Sequence, residues 1–170
     1  HGITTTPLQA ATVYAALTNG GLKIQPNLIK NVSPEKFDRL VSKRTSEDIN
    51  YILRKVVTDQ NGTASLADTY GYDVGGKTGT SQNYKNKNEN LNTFISVFPS
   101  QKPKFVLLVM LENPKVAKEL IYNYRGTKVK GLRNEAGWNS VYVAGKIIEK
   151  IGPILAIKSK DFNNHYVAEN

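Results

Sequence analysis

Gly75-Gly76-Lys77-Thr78-Gly79-Thr80-Ser81 is the stretch whose reading decides the fold. Taken as a β-strand over Val74–Thr80, it points Lys77 toward one face and sets the hydroxyls of Thr78 and Thr80 on either side of a glycine. Gly75, Gly76 and Gly79 leave backbone uncovered, and glycine inside a strand pattern marks a place where a ligand or another backbone approaches closely. These features suit an extended ligand that carries a carboxylate. The lysine supplies positive potential, the hydroxyls donate hydrogen bonds, and a strand edge pairs with the ligand's own backbone.

On the C-terminal side, Ser81–Asn92 is polar and reads as a loop or hairpin connection. Thr93–Phe98 and Lys104–Glu112 are strands, and the short Pro99-Ser100-Gln101-Lys102-Pro103 link makes them an antiparallel hairpin. Val116–Gly137 reads as irregular; Tyr122 and Tyr124 in it read as loop packing, with lining of a cleft as the alternative, and Trp138 reads as a packing anchor near the sheet. Asn139 caps a last helix that carries Val141, Ala144, Ile148 and Ile151 on one face, and Gly152-Pro153 is expected to end it. On the N-terminal side, Thr6 caps a first helix with Pro7 at its first position and Gln9 completing a capping box; Gly20-Gly21 stops it. Leu22–Val32 is expected to be extended and to include an edge strand, and Ser33–Arg44 to be turn-like. Ser46 is expected to cap a second helix, with Glu47 and Asp48 in its first turn and Ile49, Ile52, Leu53 and Val56 on its apolar face. Helix, edge segment, helix, three antiparallel strands and helix make an α+β class, with helices packed on an antiparallel sheet.

The chain of 170 residues is long enough for one domain with a real core, and its 39% hydrophobic and 22% charged content is globular. It starts at His1 and is expected to begin inside a longer polypeptide or after processing; no signal peptide is visible. The longest apolar run, Phe105–Leu111, has the length of a strand and falls well short of the roughly 20 residues a membrane span needs. There is no cysteine, and the two histidines, His1 and His165, stand at opposite ends, so no metal site and no cofactor is expected. The formal charge of +9 raises nucleic-acid binding. Against it, the lysines are scattered and no aromatics are interleaved with them for stacking, so no nucleic-acid partner is expected. The many asparagines, Asn86, Asn88, Asn90 and Asn92 among them, read as compositional bias.

A phosphate loop is an alternative reading. Gly71-Tyr72-Asp73-Val74-Gly75-Gly76-Lys77-Thr78 matches Gly-x-x-x-x-Gly-Lys-Thr. That motif needs a strand before it and a helix after it, and the polar residues that follow Thr78 show no helical pattern.

Several blocks occur together in order: Gly2-Ile3-Thr4-Thr5-Thr6-Pro7-Leu8-Gln9, Gly62-Thr63-Ala64, Gly76–Thr80, Phe94–Pro99, Phe105–Glu112, Ala136-Gly137-Trp138-Asn139 and Val143-Ala144-Gly145. In this order they resemble the C-terminal part of the transpeptidase domain of class B penicillin-binding proteins, of the cell-division type. The resemblance covers residues 1–157 and leaves 158–170 as a loose tail. It implies the penicillin-binding-protein/serine β-lactamase-like fold. It further implies a serine-type D,D-transpeptidase that acts on the D-Ala-D-Ala ends of peptidoglycan stem peptides in septal wall synthesis and is acylated by β-lactams. By the same resemblance the partners are divisome membrane proteins and the location is the periplasmic face of the bacterial inner membrane. Lys77 and Thr80 then become the catalytic residues, Lys77 through electrostatics and proton relay and Thr80 through its backbone N–H in the oxyanion hole. Thr78, Gly79 and Thr80 become the substrate-binding residues.

The family also needs a Ser-x-x-Lys nucleophile and a Ser-x-Asn, both before the Lys-Thr-Gly strand. Ser33-Pro34-Glu35-Lys36 matches the first formally but sits in a polar stretch after the Thr-Pro-Leu-Gln helix, and reads as a surface turn. Ser81-Gln82-Asn83 matches the second but follows Lys77. Both true motifs are therefore expected upstream of residue 1, and the chain alone is expected to be inactive. A non-catalytic member that binds wall peptides or a partner is the remaining alternative.

Overall fold

The structure is a computed structural model that describes residues 4–29, 38–82, 89–131 and 133–167, with side chains through residue 156. Helix α1 (Pro7–Thr18) starts as its sequence dictates. Thr6 Oγ1 accepts from Gln9 N at 3.2 Å while Gln9 Oε1 accepts from Thr6 N at 2.9 Å, satisfying two of the donors a helix start leaves over. Gly20 and Gly21 follow, both at positive φ. Beyond them the expected edge strand does not form within the described residues. Leu22 makes one isolated bridge to Arg39, and 23–28 have no regular structure. Pro26 cannot donate to a ladder, which works against a longer one.

Helix α2 (Lys43–Thr58) begins earlier than expected. Its cap is Ser42, whose hydroxyl accepts from Thr45 N at 3.0 Å, so Glu47 and Asp48 fall beyond the first turn. Ser46 is instead buried inside the helix and accepts from Gly20 N at 2.9 Å. Asn50 Nδ2, also buried, donates to Thr18 O at 3.0 Å. The buried face of α2 is therefore Ser46, Asn50, Leu53 and Val57, and Ile52, expected inside, is 59% exposed. The C-terminal end of α1 leaves backbone groups without helical partners, and α2 turns polar side chains toward them.

The main sheet has the order β1-β2-β3, all antiparallel, with β1 (Gly75–Gln82), β2 (Asn90–Phe98) and β3 (Phe105–Glu112). Each strand of the expected hairpin is present, and β1 and β2 reach further into the segment read as a loop. The register sets Thr78 beside Phe94 and Phe94 beside Val109. Phe94, Phe98 and Val109 face Val141, Ala144 and Ile148 of α3 (Ser140–Val167) in one core cluster that also takes in Val57, Ala64, Ala67 and Val74. Gly75 points to the opposite face, where a Cβ would lie 3.1 Å from Arg54 N of α2. The sheet is thus covered by α3 on one face and approached by α2 on the other, the layered α+β arrangement expected. At Gly76 a side chain is excluded outright, because a Cβ would stand 2.5 Å from the Phe94 ring. Arg54 fixes the entry to β1 by donating to Asp68 Oδ1 and to Val74 O, both at 2.8 Å.

Two other expectations change. The segment Val116–Gly137 is not irregular throughout, since β4 (Ile121–Tyr124) and β5 (Thr127–Lys130) form a hairpin with Arg125 and Gly126 both at positive φ. A two-residue loop of that geometry matches the twist of the flanking strands, but arginine in its first position hides the signal that Asn or Asp would give. Asn139 stands at the start of α3, its carbonyl accepting from Val143 N at 2.9 Å. The helix does not end at Gly152-Pro153, however; its backbone is helical to Val167, through the segment read as a tail. Gly152 serves a close approach, since a Cβ there would meet the Tyr72 ring at 2.3 Å.

Candidate active site

β1 is an edge strand. One side pairs with β2, and among the described residues no strand pairs with the other. Side chains alternate across a strand, so Lys77 and Gly79 lie on one face while Thr78 and Thr80 lie on the other. Lys77 is exposed, and its Nζ donates to Thr78 O at 2.5 Å. The Thr78 hydroxyl is 2.9 Å from the Thr63 hydroxyl. Thr80 Oγ1 accepts from Ala136 N at 3.1 Å. A Cβ at Gly79 would have nothing within 4 Å, so the backbone between the two threonines is open to a ligand.

Thr78 and Thr80 form part of the wall of an open groove of about 1120 Å³. The rest of the wall comes from Ser81, Gln82 and Asn90 of the β1–β2 pair, the Gln60–Thr63 loop, the hairpin residue Tyr124, and the segment Arg133, Asn134, Glu135, Gly137 and Trp138. The structure therefore brings Thr78 and Thr80 together at one groove, while Lys77 and Gly79 belong to the other face of the same edge. Of the three aromatics read as packing residues, Tyr122 is buried and meets Trp138 and Tyr142 edge-on. Tyr124 and Trp138, stacked with centroids 5.1 Å apart, also face the groove.

Two devices hold this wall. Arg125 donates to Asp59 O at 2.6 Å and to Gly62 O at 3.3 Å, clamping the turn of β4–β5 onto the loop that presents Thr63. Asn134 donates to Pro114 O at 2.6 Å, and its Oδ1 accepts from Asn92 Nδ2 at 3.2 Å and from Asn139 Nδ2 at 3.0 Å. Asn92 is fully buried on β2, in register with Thr80. The clamp thus fixes the segment whose Ala136 N–H reaches Thr80. Thr63, Arg133 and Asn134 are among the groove residues that sequence reading missed. The signal was present in Gly62-Thr63-Ala64 and in the asparagines, but Asn90 and Asn92 read as compositional bias.

The phosphate-loop reading fails on the backbone. Gly76, Lys77 and Thr78 lie inside β1, paired to Ser96, Ile95 and Phe94, and the strand continues to Gln82 where a phosphate loop would start a helix. Ser33-Pro34-Glu35-Lys36 and Asn83 lie outside the described residues. Among the described residues no group of three or more His, Cys, Asp or Glu could hold a metal ion, and no helix is long and apolar enough to cross a membrane.

The model of the penicillin binding protein transpeptidase domain matches residues 1–132. The chain belongs to the penicillin-binding-protein transpeptidase family. It is 31% identical over 174 residues to a protein of Caulobacter vibrioides named "Probable peptidoglycan D,D-transpeptidase FtsI", a match that takes in 94% of this chain and 28% of that protein. It is 34% identical over 131 residues to Stage V sporulation protein D of Bacillus subtilis, covering 68% of this chain and 20% of that protein. The family member described here thus spans between a fifth and a third of the length of these relatives. Its fold matches the transpeptidase domain of FtsI4 from Legionella pneumophila with a TM-score of 0.60 at 24% identity, over 86% of this chain and 47% of that one. It also matches the transpeptidase domain of penicillin-binding protein 3 from Burkholderia pseudomallei with a TM-score of 0.67 at 21% identity, over 91% and 44%.

Proposed function

We propose that this transpeptidase-family chain supplies the substrate-binding strand of a peptidoglycan D,D-transpeptidase in septal cell-wall synthesis. The observation behind this reading is β1 itself, a sheet edge unpaired among the described residues, with two threonine hydroxyls at a groove and an uncovered glycine between them. An extended peptide ending in D-Ala-D-Ala pairs with such an edge through its backbone. A peptide laid there is flanked by the side chains of both faces, so it meets Thr78 and Thr80 on one side and the charge of Lys77 on the other. Thr80 Oγ1 accepts from Ala136 N, which leaves its own proton free to donate to the terminal carboxylate.

In this reading a serine outside the chain attacks the penultimate carbonyl, its O–C bond forms, the C–N bond to the last D-alanine breaks, and that amine leaves with a proton. An acceptor amine then displaces the serine and regenerates it. The Thr80 N–H serves the carbonyl oxygen as negative charge builds on it; loss of one such donor costs about 2.7–4 kcal/mol in other acyl-transfer enzymes. Lys77 supplies positive potential and proton relay. β-Lactams take the place of the D-Ala-D-Ala end. The periplasmic face of the inner membrane and divisome membrane partners belong to the same proposal and rest on the family alone.

The test is the intact mass of this chain after incubation with excess benzylpenicillin. The expected result is no covalent adduct. An adduct mapped to Ser33 would show that the chain carries its own nucleophile and would overturn the reading.

A further inference from the structure

Asparagine followed by glycine occurs twice in the chain, at Asn19-Gly20 and at Asn61-Gly62. Such a pair has a chemistry of its own. The glycine nitrogen can reach the asparagine side-chain carbonyl, because glycine has no Cβ to obstruct the approach and accepts backbone angles closed to other residues. The fold treats the two pairs differently. Asn19 ends α1, and both ends of its carboxamide are held. Its Nδ2 donates to Leu22 O at 3.0 Å and its Oδ1 accepts from Leu22 N at 2.9 Å. Gly20 N, the atom that would attack, donates to Oγ of buried Ser46 at 2.9 Å. Asn61 is exposed in the turn after α2. Its backbone N donates to Asp59 Oδ1 at 2.9 Å, but among the described residues its carboxamide has no hydrogen-bond partner. Gly62 N donates to Asp59 O at 2.9 Å, a carbonyl that also accepts from Arg125. One hydrogen bond therefore stands in the way of attack at Asn61, against three at Asn19.

We infer that Asn61 is a site of spontaneous covalent modification, a deamidation through a cyclic imide that alters the groove. The Gly62 nitrogen gives its proton to solvent and attacks Asn61 Cγ, so that an N–Cγ bond forms. The Cγ–Nδ2 bond breaks, and ammonia leaves with a proton taken from solvent. Water then opens the ring on one side of the imide nitrogen or the other. Opening at Cγ gives aspartate. Opening at the main-chain carbonyl gives isoaspartate, in which the chain runs through the side-chain carbons. Both products carry a carboxylate. Asn61 lines the groove together with Thr78 and Thr80, and the charged residues of that wall are Arg133 and Glu135. Conversion thus adds a second negative charge to a wall that holds one of each sign. Isoaspartate also adds a backbone atom between Asp59 O and Gly62 O, the two carbonyls that Arg125 holds at 2.6 Å and 3.3 Å. The clamp on the loop that presents Thr63 is therefore expected to loosen. The inference stands on the turn alone and does not depend on the ligand proposed above.

The test follows isoaspartate in the full chain. The folded chain is aged in mildly alkaline buffer, labelled with isoaspartyl methyltransferase and mapped by peptide mass. Label is expected on the Asn61 peptide at least about tenfold faster than on the Asn19 peptide, since two fewer hydrogen bonds have to open. The same ageing in guanidinium chloride is expected to bring the two rates together, because both pairs are then unrestrained. Asn61→Gln is expected to carry no label at that position, since the longer side chain closes its ring far more slowly. Equal rates in the folded chain, or a difference that persists unchanged in denaturant, would overturn the inference. The urea midpoint of aged wild type is expected to lie below that of fresh protein, with no such fall in Asn61→Gln. A midpoint that stays in place once Asn61 is converted would overturn the loosening of the clamp.

Discussion

The Thr80 hydroxyl oxygen accepts the Ala136 N–H at 3.1 Å, so one threonine both ties the α3 approach segment to β1 and presents a proton to the groove. Thr80→Val is expected to weaken binding of a D-Ala-D-Ala peptide about tenfold, as loss of one hydrogen bond to a charged group implies. Thr80→Ser should retain affinity, and an unchanged dissociation constant in the valine variant, read by Trp138 fluorescence, would remove Thr80 from the ligand site. Asn134 is a different kind of residue, one that acts through others. Asn134→Ala leaves buried Asn92 with fewer partners, and it is expected to lower stability by about 1–3 kcal/mol, measured as the urea midpoint. Thr78 and Thr80, read from the sequence as consecutive hydroxyls of one strand face, both line the groove, whereas Lys77 and Gly79 belong to the other face of β1. Thr63, Arg133 and Asn134 were not legible in the sequence, because distant segments bring them to the same groove and each taken alone looks like an ordinary loop residue.

At the level of elements, β1 was legible through its glycines and β2–β3 through their unbroken apolar runs and short link. The misreadings share a physical cause, tertiary demand overriding a local pattern. Ser46 followed by two acids has the local form of a helix cap. It lies inside α2 because Gly20 N at the end of α1 needs an acceptor there. Ser46→Ala removes that acceptor and should cost about 1–2 kcal/mol, whereas removal of a true cap at Ser42 should cost about 1 kcal/mol through the helix start alone. Urea denaturation of both variants checks this, and a neutral Ser46→Ala would return Ser46 to the surface. The β4–β5 hairpin escaped notice because its strands are four residues each and its turn uses arginine at positive φ. Its consequence for the site is large, since Arg125 in that turn holds the loop that presents Thr63.

For the whole molecule, the three-stranded sheet carries α3 on one face and α2 on the other, and among the described residues its β1 edge and the groove beside it stay open. Burial, and after it Tyr142, pushes the Tyr122 phenol above its usual value, and burial does the same for Tyr14. A folded-state pKa raised above the unfolded one means that the stabilisation is complete below about pH 10 and is lost as pH climbs through the folded value. The urea midpoint is therefore expected to fall above about pH 10, and to fall less in Tyr122→Phe; parallel curves would contradict this assignment. The central claim concerns Lys77 and the edge strand as acylation machinery. The most direct measurement joins this chain to the Ser-x-x-Lys-bearing remainder of a transpeptidase domain and compares benzylpenicillin acylation rates for the parent and Lys77→Ala. The account predicts label on the joined serine and a fall of at least about a hundredfold in the variant, the range for loss of a positioned proton-transfer group. Equal rates would contradict it.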